Sequence, residues 1–498
     1  MIGCEPRQYV FVQRVWPAVG IGLLMLWLSV CGASPRTATG AELWVGGAMV
    51  DITPELPVAL DGFRGMRISK KPATSIWATA LALESRDGEK VLDQAVMVSC
   101  DIIAIREGIL AKVREKIQPR SADLDLNKVF LNRTHTHSAP VTTDGKYTLP
   151  DSGIIQPGEY AEWMTQRIAE AVLQCWRNRR PAKVGWGQGQ AVIAQNRRAT
   201  YADGTAQMYG KTNRPDFRGI EGYEDHNLEV LFFWDQQDRL VATAINVACP
   251  SQEVGGNALH ADFWHPVREK LREKHGADLL VLAWTGAGGD QVPQLMYGRP
   301  ADERMRKLRG NLTRLDEISR RIVNAWQDAY DGAKNDRRTG VVLEHSVQQI
   351  DLPWRKVTEA EAADARQQAE KYAKDPAQRW NHGWHQRVVD RYEAQQAGTA
   401  GSFSMELHAL RLGDVAIATN EFELFTDYGV QIKARSPAIQ TFIIQLTGSA
   451  GYLPNERAVR GGGYSAVIQS SRIGPEGGQV LVDRTVEALD GLWKKSAK

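Results

Sequence analysis

The chain has 498 residues, 43% of them hydrophobic and 24% charged, with a formal net charge of +2. That is an ordinary globular composition on a chain long enough for a large core, and length alone would suggest two or three domains. A charge so close to zero, with no basic stripe interleaved with aromatics, argues against a nucleic-acid partner or an anionic surface.

At the N-terminus, Arg7 and Arg14 precede an apolar run from about Val15 to Ala33. The small, polar stretch Ser34–Ala41 follows. Basic head, apolar middle and small-residue exit are the pattern of a secretory signal, with cleavage after Ala33 or Ala41. The competing reading is an uncleaved anchor, which the length barely permits. Leu28-Ser29-Val30-Cys31 approaches a lipoprotein box, except that Val30 is larger than the usual residue before the cysteine. Residues 1–41 are therefore read as signal and linker, and the protein as exported: periplasmic, secreted or lipid-anchored. Loss of Cys4 and Cys31 with the signal leaves Cys100, Cys175 and Cys249, too few and too sparse for a disulfide framework.

From Trp44 to Pro54 the pattern predicts a strand ending in a turn, and Val96–Ile103 a second strand with Asp101 near its end. An amphipathic helix over Arg106–Ile117 leads to the apolar run Lys128–Leu131, so the order strand, helix, strand suggests a βαβ unit. Glu159–Arg177 reads as a helix with Trp163, Ile168, Ala171, Val172 and Cys175 on one face. Strands are predicted over Ala182–Asn196, Leu228–Trp234, Leu240–Ala248 and Leu279–Trp284, with helices over Phe263–His275 and Arg314–Tyr330. Thr358–Gln396 turns to Ala, Glu, Gln, Lys and Arg, good helix formers, and is read as a surface helical hairpin inserted between strands. Strands resume at Met405–Leu412, Val415–Thr419 and Thr441–Leu446, and Val480–Lys494 reads as helix. No linker-like tract cuts the chain after residue 41, so 42–498 is read as one large α/β domain, with mixed sheets flanked by helices.

The passage with the most chemistry is Asn132-Arg133-Thr134-His135-Thr136-His137-Ser138-Ala139-Pro140, which follows a strand. Two histidines one residue apart point to the same side of an extended backbone. Such a pair can grip a metal, or divide metal binding from proton handling, or simply be satisfied by neighbouring carbonyls. Asn132-Arg133-Thr134 and Asn311-Leu312-Thr313 also match a glycosylation sequon, a pattern common by chance. No Gly-x-Ser-x-Gly elbow is present for a serine hydrolase. Gly286, Gly288 and Gly289 follow a strand as a dinucleotide fingerprint would, but Gln291 and Pro293 remove its phosphate-cradling end. A tight turn placing Asp290 near a site is the better reading. Glu423 and Tyr452 each follow an apolar strand, where a carboxylate is costly unless paired or coordinated; read singly, Glu423 is a surface or ion-paired acid and Tyr452 a packed aromatic.

Four passages together resemble the catalytic domain of the neutral/alkaline (non-lysosomal) ceramidase family, over roughly residues 45–471. They are Thr134-His135-Thr136-His137-Ser138, Gly289-Asp290 with Pro293, Glu423 with Gly429, and Tyr452 with Glu456 and Tyr464. The resemblance implies a ceramidase-like α/β fold and a zinc amidase acting on N-acyl sphingosine. His135, Glu423 and Tyr452 would be zinc ligands. His137, Arg197 and Tyr464 would contact the scissile amide or its oxyanion, with Asp290 beside them. Two departures stand out. Cys249 replaces the family's second histidine ligand before proline, so it is either a thiolate ligand or an inert buried thiol, with the site then empty or completed by His260 or His265. Val292 replaces the proposed serine nucleophile, leaving only metal-activated water.

The sequence thus leads to the expectation of an exported Zn2+ hydrolase of a linear amide. Its substrate would be a small-molecule or lipid amide, and an N-acyl lipid would bring peripheral membrane contact. Rival readings are a hydrolase of an acylated sugar or amino acid, and a non-catalytic lipid- or glycan-binding relative. The oligomeric state is not legible.

Overall fold

Among the described residues the long apolar runs of the three main sheets are strands covered on both faces, and side-chain alternation tells what covers each face. The computed structural model describes residues 41–495 except Leu56, Pro376 and Ala377, so the expected signal segment lies outside the described residues. Three main sheets meet at one centre. The first orders its strands Val129–Arg133, Lys90–Cys100, Trp77–Asp87, Ala41–Asp51 and Arg180–Pro181. The second orders Leu280–Thr285, Leu240–Val247, Asn227–Trp234 and Lys183–Gln190. The third orders Leu343–Pro353, Ser402–Leu412, Val415–Thr419 and Gln440–Ile444.

In the first sheet, Leu81, Leu83 and Met97 face the centre, where they meet Leu231, Phe233 and Trp284 of the second sheet and Leu410, Ile417 and Phe442 of the third. Their neighbours Ala80, Ala82, Val96 and Val98 face outward onto the helices Ile109–Ile117 and Pro157–Arg177. The second sheet is likewise covered by Trp264–His275 and Arg314–Ala333, and the third by Thr426–Arg435 and Pro475–Lys495. Buried polar side chains tie the sheets together. Ser99 Oγ and Asn132 Nδ2 both donate to the Ala283 carbonyl, at 2.7 and 3.0 Å, and Asn246 Nδ2 donates to the Ile443 carbonyl at 2.9 Å. Asn132 is fully buried by this role, which removes it as a glycosylation acceptor. Among the described residues no helix is long and apolar enough to cross a membrane.

Most predicted elements lie within a few residues of their expected bounds, with one informative difference. Trp163 is 41% exposed rather than part of the buried face of its helix. The 358–396 segment does form two packed helices, Glu359–Ala373 and Arg379–Gln396. The second of these reaches the candidate site, as described below.

Each sheet contains one parallel pair: Lys90–Cys100 with Val129–Arg133, Leu240–Val247 with Leu280–Thr285, and Val415–Thr419 with Gln440–Ile444. Parallel strands send their carboxyl ends to the same edge, which is where α/β proteins collect site residues. Here the three edges converge. Thr285 Oγ1 donates to the Arg133 carbonyl at 3.0 Å, and Gln445 N to the Thr285 carbonyl at 2.9 Å.

Between the first and third sheets sits a buried histidine pair, with His345 Nε2 3.0 Å from His408 Nδ1 and His408 Nε2 3.3 Å from Glu406. Burial holds both imidazoles neutral, below their ordinary range. A histidine depressed in the folded state contributes fully above its unfolded value of about 6.5 and loses that contribution as pH falls through it, because the unfolded chain binds protons more readily. Urea midpoints should therefore fall between pH 7 and pH 5, and His345→Gln should flatten that slope. An unchanged slope in the variant would remove the pair as its source.

Candidate active site

His135 and His137 leave the end of the Val129–Arg133 strand, but not along extended backbone. His135 has φ of 66°, a left-handed conformation that non-glycine residues adopt rarely. The two rings therefore meet through a tight turn rather than by strand alternation, with their Nε2 atoms 3.4 Å apart. Backbone bonds from Thr134 N to the Cys100 carbonyl and from His135 N to the Ile102 carbonyl hold the turn. His135 Nδ1 lies 2.9 Å from the Ile103 carbonyl, which accepts its proton and leaves Nε2 with a free lone pair. Gly62 packs under His137: a Cβ there would lie 2.7 Å from the His137 ring, and its φ of 105° also favours glycine.

The third sheet supplies the opposite wall. Glu423 and Tyr452 are register partners in a short parallel ribbon beyond the carboxyl ends of that sheet. Glu423 Oε2 stands 3.8 Å from His135 Nε2. Burial raises the Glu423 pKa, opposed by Arg197, Arg133 and a hydrogen bond from Tyr452. Gly289 lets the second sheet approach this wall, since a Cβ there would sit 2.2 Å from the Glu423 carbonyl oxygen. The glycines after Thr285 thus serve close backbone packing, not phosphate binding.

Arg197 is buried at the centre. One Nη donates to Tyr209 Oη at 2.9 Å and to Gln252 Oε1 at 3.3 Å. The other donates to the Gly289 carbonyl at 2.7 Å and to Tyr452 Oη at 3.3 Å, and lies 3.8 Å from Glu423 Oε2. Because Arg197 takes the oxygen of Gln252, the amide nitrogen of Gln252 is the end facing His137 Nε2, at 2.8 Å. Burial pushes His137 down to about 3; Asp61 opposes this, while Arg197, Arg67 and Lys146 add to it. Burial likewise holds His135 neutral, the form a metal ligand needs.

The remaining expected residues divide. Tyr464 stacks edge-on against Tyr452 at 5.9 Å and is 38% exposed, at the mouth of the site. Asp290 is buried behind the site rather than within it. Its carboxylate accepts from Asn196 Nδ2 at 2.8 Å and from Thr426 N and Oγ1 at 2.9 and 2.7 Å, and its carbonyl accepts from Arg197 N at 2.8 Å. Asp290 therefore positions Arg197 and the segment after Glu423. Val292 is fully buried and pairs with Gln195, so no hydroxyl stands there. Cys249 is not brought to the His135–Glu423 group. Its thiol lies in the apolar cluster with Phe263 and Ile193, 3.6 Å from the Pro250 carbonyl, and burial raises its pKa well above the ordinary thiol value. His260 and His265 do not replace it: they pair with each other at 6.2 Å, and His260 Nδ1 accepts from Asp262 N.

Gln252 and Tyr209 were not singled out from sequence. Gln252 had one available signal, its place two residues after Cys249-Pro250; Tyr209 had none.

Do these residues suit zinc? Among the described residues no group of three or more His, Cys, Asp or Glu side chains is placed to hold a metal. The four-ligand set with Cys249 therefore does not fit. What the structure does bring together is a pair of donor atoms, the Nε2 of His135 and the carboxylate of Glu423, with the Tyr452 hydroxyl hydrogen-bonded to that carboxylate. His and carboxylate donors are types that zinc takes.

The architecture is thus an α/β protein of three converging sheets with a polar centre at their carboxyl edges. No family model matches the sequence, and no curated protein does. Solved structures do match in fold. The neutral ceramidase from Pseudomonas aeruginosa superposes with a TM-score of 0.65 at 16% identity, over 91% of this chain and 75% of that one. A ceramidase complexed with C2 superposes with a TM-score of 0.65 at 14% identity, over 91% and 76%. The chain has the ceramidase fold.

Proposed function

We propose that the protein is an exported, zinc-dependent hydrolase of linear amides with an N-acyl substrate. The observation that supports this reading most is the His135 Nε2–Glu423 Oε2 approach of 3.8 Å, with the Tyr452 hydroxyl and the Arg197 guanidinium directed at the same space. His135, Glu423 and Tyr452 would hold the metal. Zinc, when bound, polarises the scissile carbonyl and makes water acidic enough to ionise near neutral pH. Arg197 and Tyr464 face the same space from the centre and the mouth, where a developing oxyanion would be stabilised. His137, a neutral acceptor oriented by Gln252, would first have to take a proton from the attacking water before passing it to the departing amine. With valine at position 292, water rather than a side-chain hydroxyl is the nucleophile.

The test is elemental analysis of purified protein beside hydrolysis of an N-acyl amide. One zinc per chain is expected, with activity lost on chelation and restored by zinc. Absence of stoichiometric zinc, with His135→Ala unchanged in activity, would overturn the reading. Because the Cys249 thiol lies outside the donor set, Cys249→Ala should keep zinc content and turnover within about twofold, the change a buried small-residue substitution makes through stability alone. Loss of zinc in that variant would return Cys249 to the ligand set.

A further inference from the structure

At the mouth of the site, Arg64 sits over three aromatic rings. Its guanidinium lies 4.9 Å from the Trp380 ring, 5.9 Å from Trp384 and 5.7 Å from Tyr464. The rings support one another: Trp380 stacks on Trp384 at 5.3 Å, and Trp384 tilts against Tyr464 at 5.9 Å. Both tryptophans come from the inserted helix Arg379–Gln396, so the insertion builds one rim of the site. Arg64 is exposed and has no acidic partner among the described residues. Arginine is suited to this seat because its planar cation can lie on aromatic faces while its N–H fork points outward. A guanidinium seated this way keeps its fork free for a planar oxyanion.

The surroundings add to its effect. Arg67, Arg106, Arg133, Lys146 and Arg197 surround the centre, against the carboxylates Asp61, Glu421 and Glu423. Asp61 is already paired with Arg106 and Lys146. A cleft with this surplus attracts an anion rather than a neutral chain. The distance is informative as well. From the Tyr452 ring it is 5.9 Å to the Tyr464 ring, then 5.7 Å on to the guanidinium. Two to three residues of extended chain, at roughly 3.3–3.6 Å each, together with a carboxylate–guanidinium contact of about 3 Å, cover that span.

We propose that Arg64, seated on Trp380, Trp384 and Tyr464, anchors a carboxylate carried on one arm of the substrate, two to three residues' length from the scissile amide. The substrate is then an acidic N-acyl amide, such as an acylated short peptide with a free carboxyl end, and not a neutral lipid amide. This rests on the scissile bond lying between His135 and Glu423.

The probe is the ketomethylene analogue of octanoyl-Gly-Gly, in which a methylene replaces the scissile nitrogen so that binding is read without turnover. It is prepared with a free carboxylate or with a terminal carboxamide. Calorimetry on the zinc-loaded protein at low salt should show the carboxylate form binding about fivefold tighter or more. That preference should shrink as salt is raised. Arg64→Met should abolish it without changing carboxamide affinity, and Arg64→Lys should keep part of it. Equal affinity for the two forms, no binding of either at millimolar concentration, or a preference that survives Arg64→Met overturns the proposal. Hydrolysis of the parent amides is read separately. A carboxylate preference without hydrolysis refutes the hydrolase and keeps the anchor, whereas hydrolysis with equal affinities refutes the anchor and keeps the hydrolase.

Discussion

Exchange of Glu423 for Gln is expected to remove stoichiometric zinc and to lower amide hydrolysis by more than about a hundredfold, since even groups that only orient metal ligands cost tenfold to a hundredfold when lost. The carboxylate is largely buried and faces Arg197, His135 and Tyr452, so its charge is what the site spends its donors on. Gln keeps the volume and one acceptor oxygen, so the ribbon pairing of Glu423 with Tyr452 should persist and the fold should remain. Zinc by mass spectrometry, turnover and circular dichroism are the three readouts. His135→Ala should behave alike in the first two. Wild-type zinc and activity in Glu423→Gln would mean that the metal, if any, sits elsewhere.

The second large effect concerns stability. Arg268 and Asp101 form a buried two-pronged ion pair, at 2.5 and 3.0 Å, and Asp101 also accepts from Trp77 N at 3.0 Å. Removing one partner of a buried pair leaves an uncompensated charge, so Arg268→Met should destabilise the protein by about 3–5 kcal/mol. Replacing both, as Asp101→Leu with Arg268→Met, should cost less than either alone. Urea unfolding measures both. The pair also bears on the site, because Asp101 begins the loop whose Ile102 and Ile103 carbonyls hold His135. Arg268→Met should therefore weaken zinc binding as well, although Arg268 touches no proposed ligand. Unchanged zinc affinity in a destabilised variant would separate the two roles.

Legibility varied by residue. His135 stood out by residue type as one of two histidines after an apolar strand, whereas Glu423, read singly, was no more than a surface or ion-paired acid and joined His135 only through the family resemblance; the structure places them 3.8 Å apart. The mutual geometry of His135 and His137 was misread: alternation assumed extended backbone, whereas the chain turns at His135 with φ of 66°. Asp290 was rightly placed after the glycines but not in its role, because nothing local shows that Asn196 and Thr426 use up its carboxylate. Cys249 carried an open alternative that residue type cannot settle; packing against Phe263 and Ile193 favours the inert thiol.

The sequence by itself determined the kind and order of most elements, including both helices of the 358–396 segment, but left the strands Trp77–Asp87 and Leu343–Pro353 and the helix Thr426–Arg435 unread. Hydrophobic periodicity is a local property and survives without knowledge of neighbours. Only the tertiary structure decided which side chains share a wall. The Gln252–His137 contact joins residues 115 apart, Arg197–Tyr452 joins residues 255 apart, and the seat of Arg64 comes from a helix more than three hundred positions later. Such contacts follow from three sheets converging at their carboxyl edges, and no residue's own neighbourhood in the chain encodes that convergence.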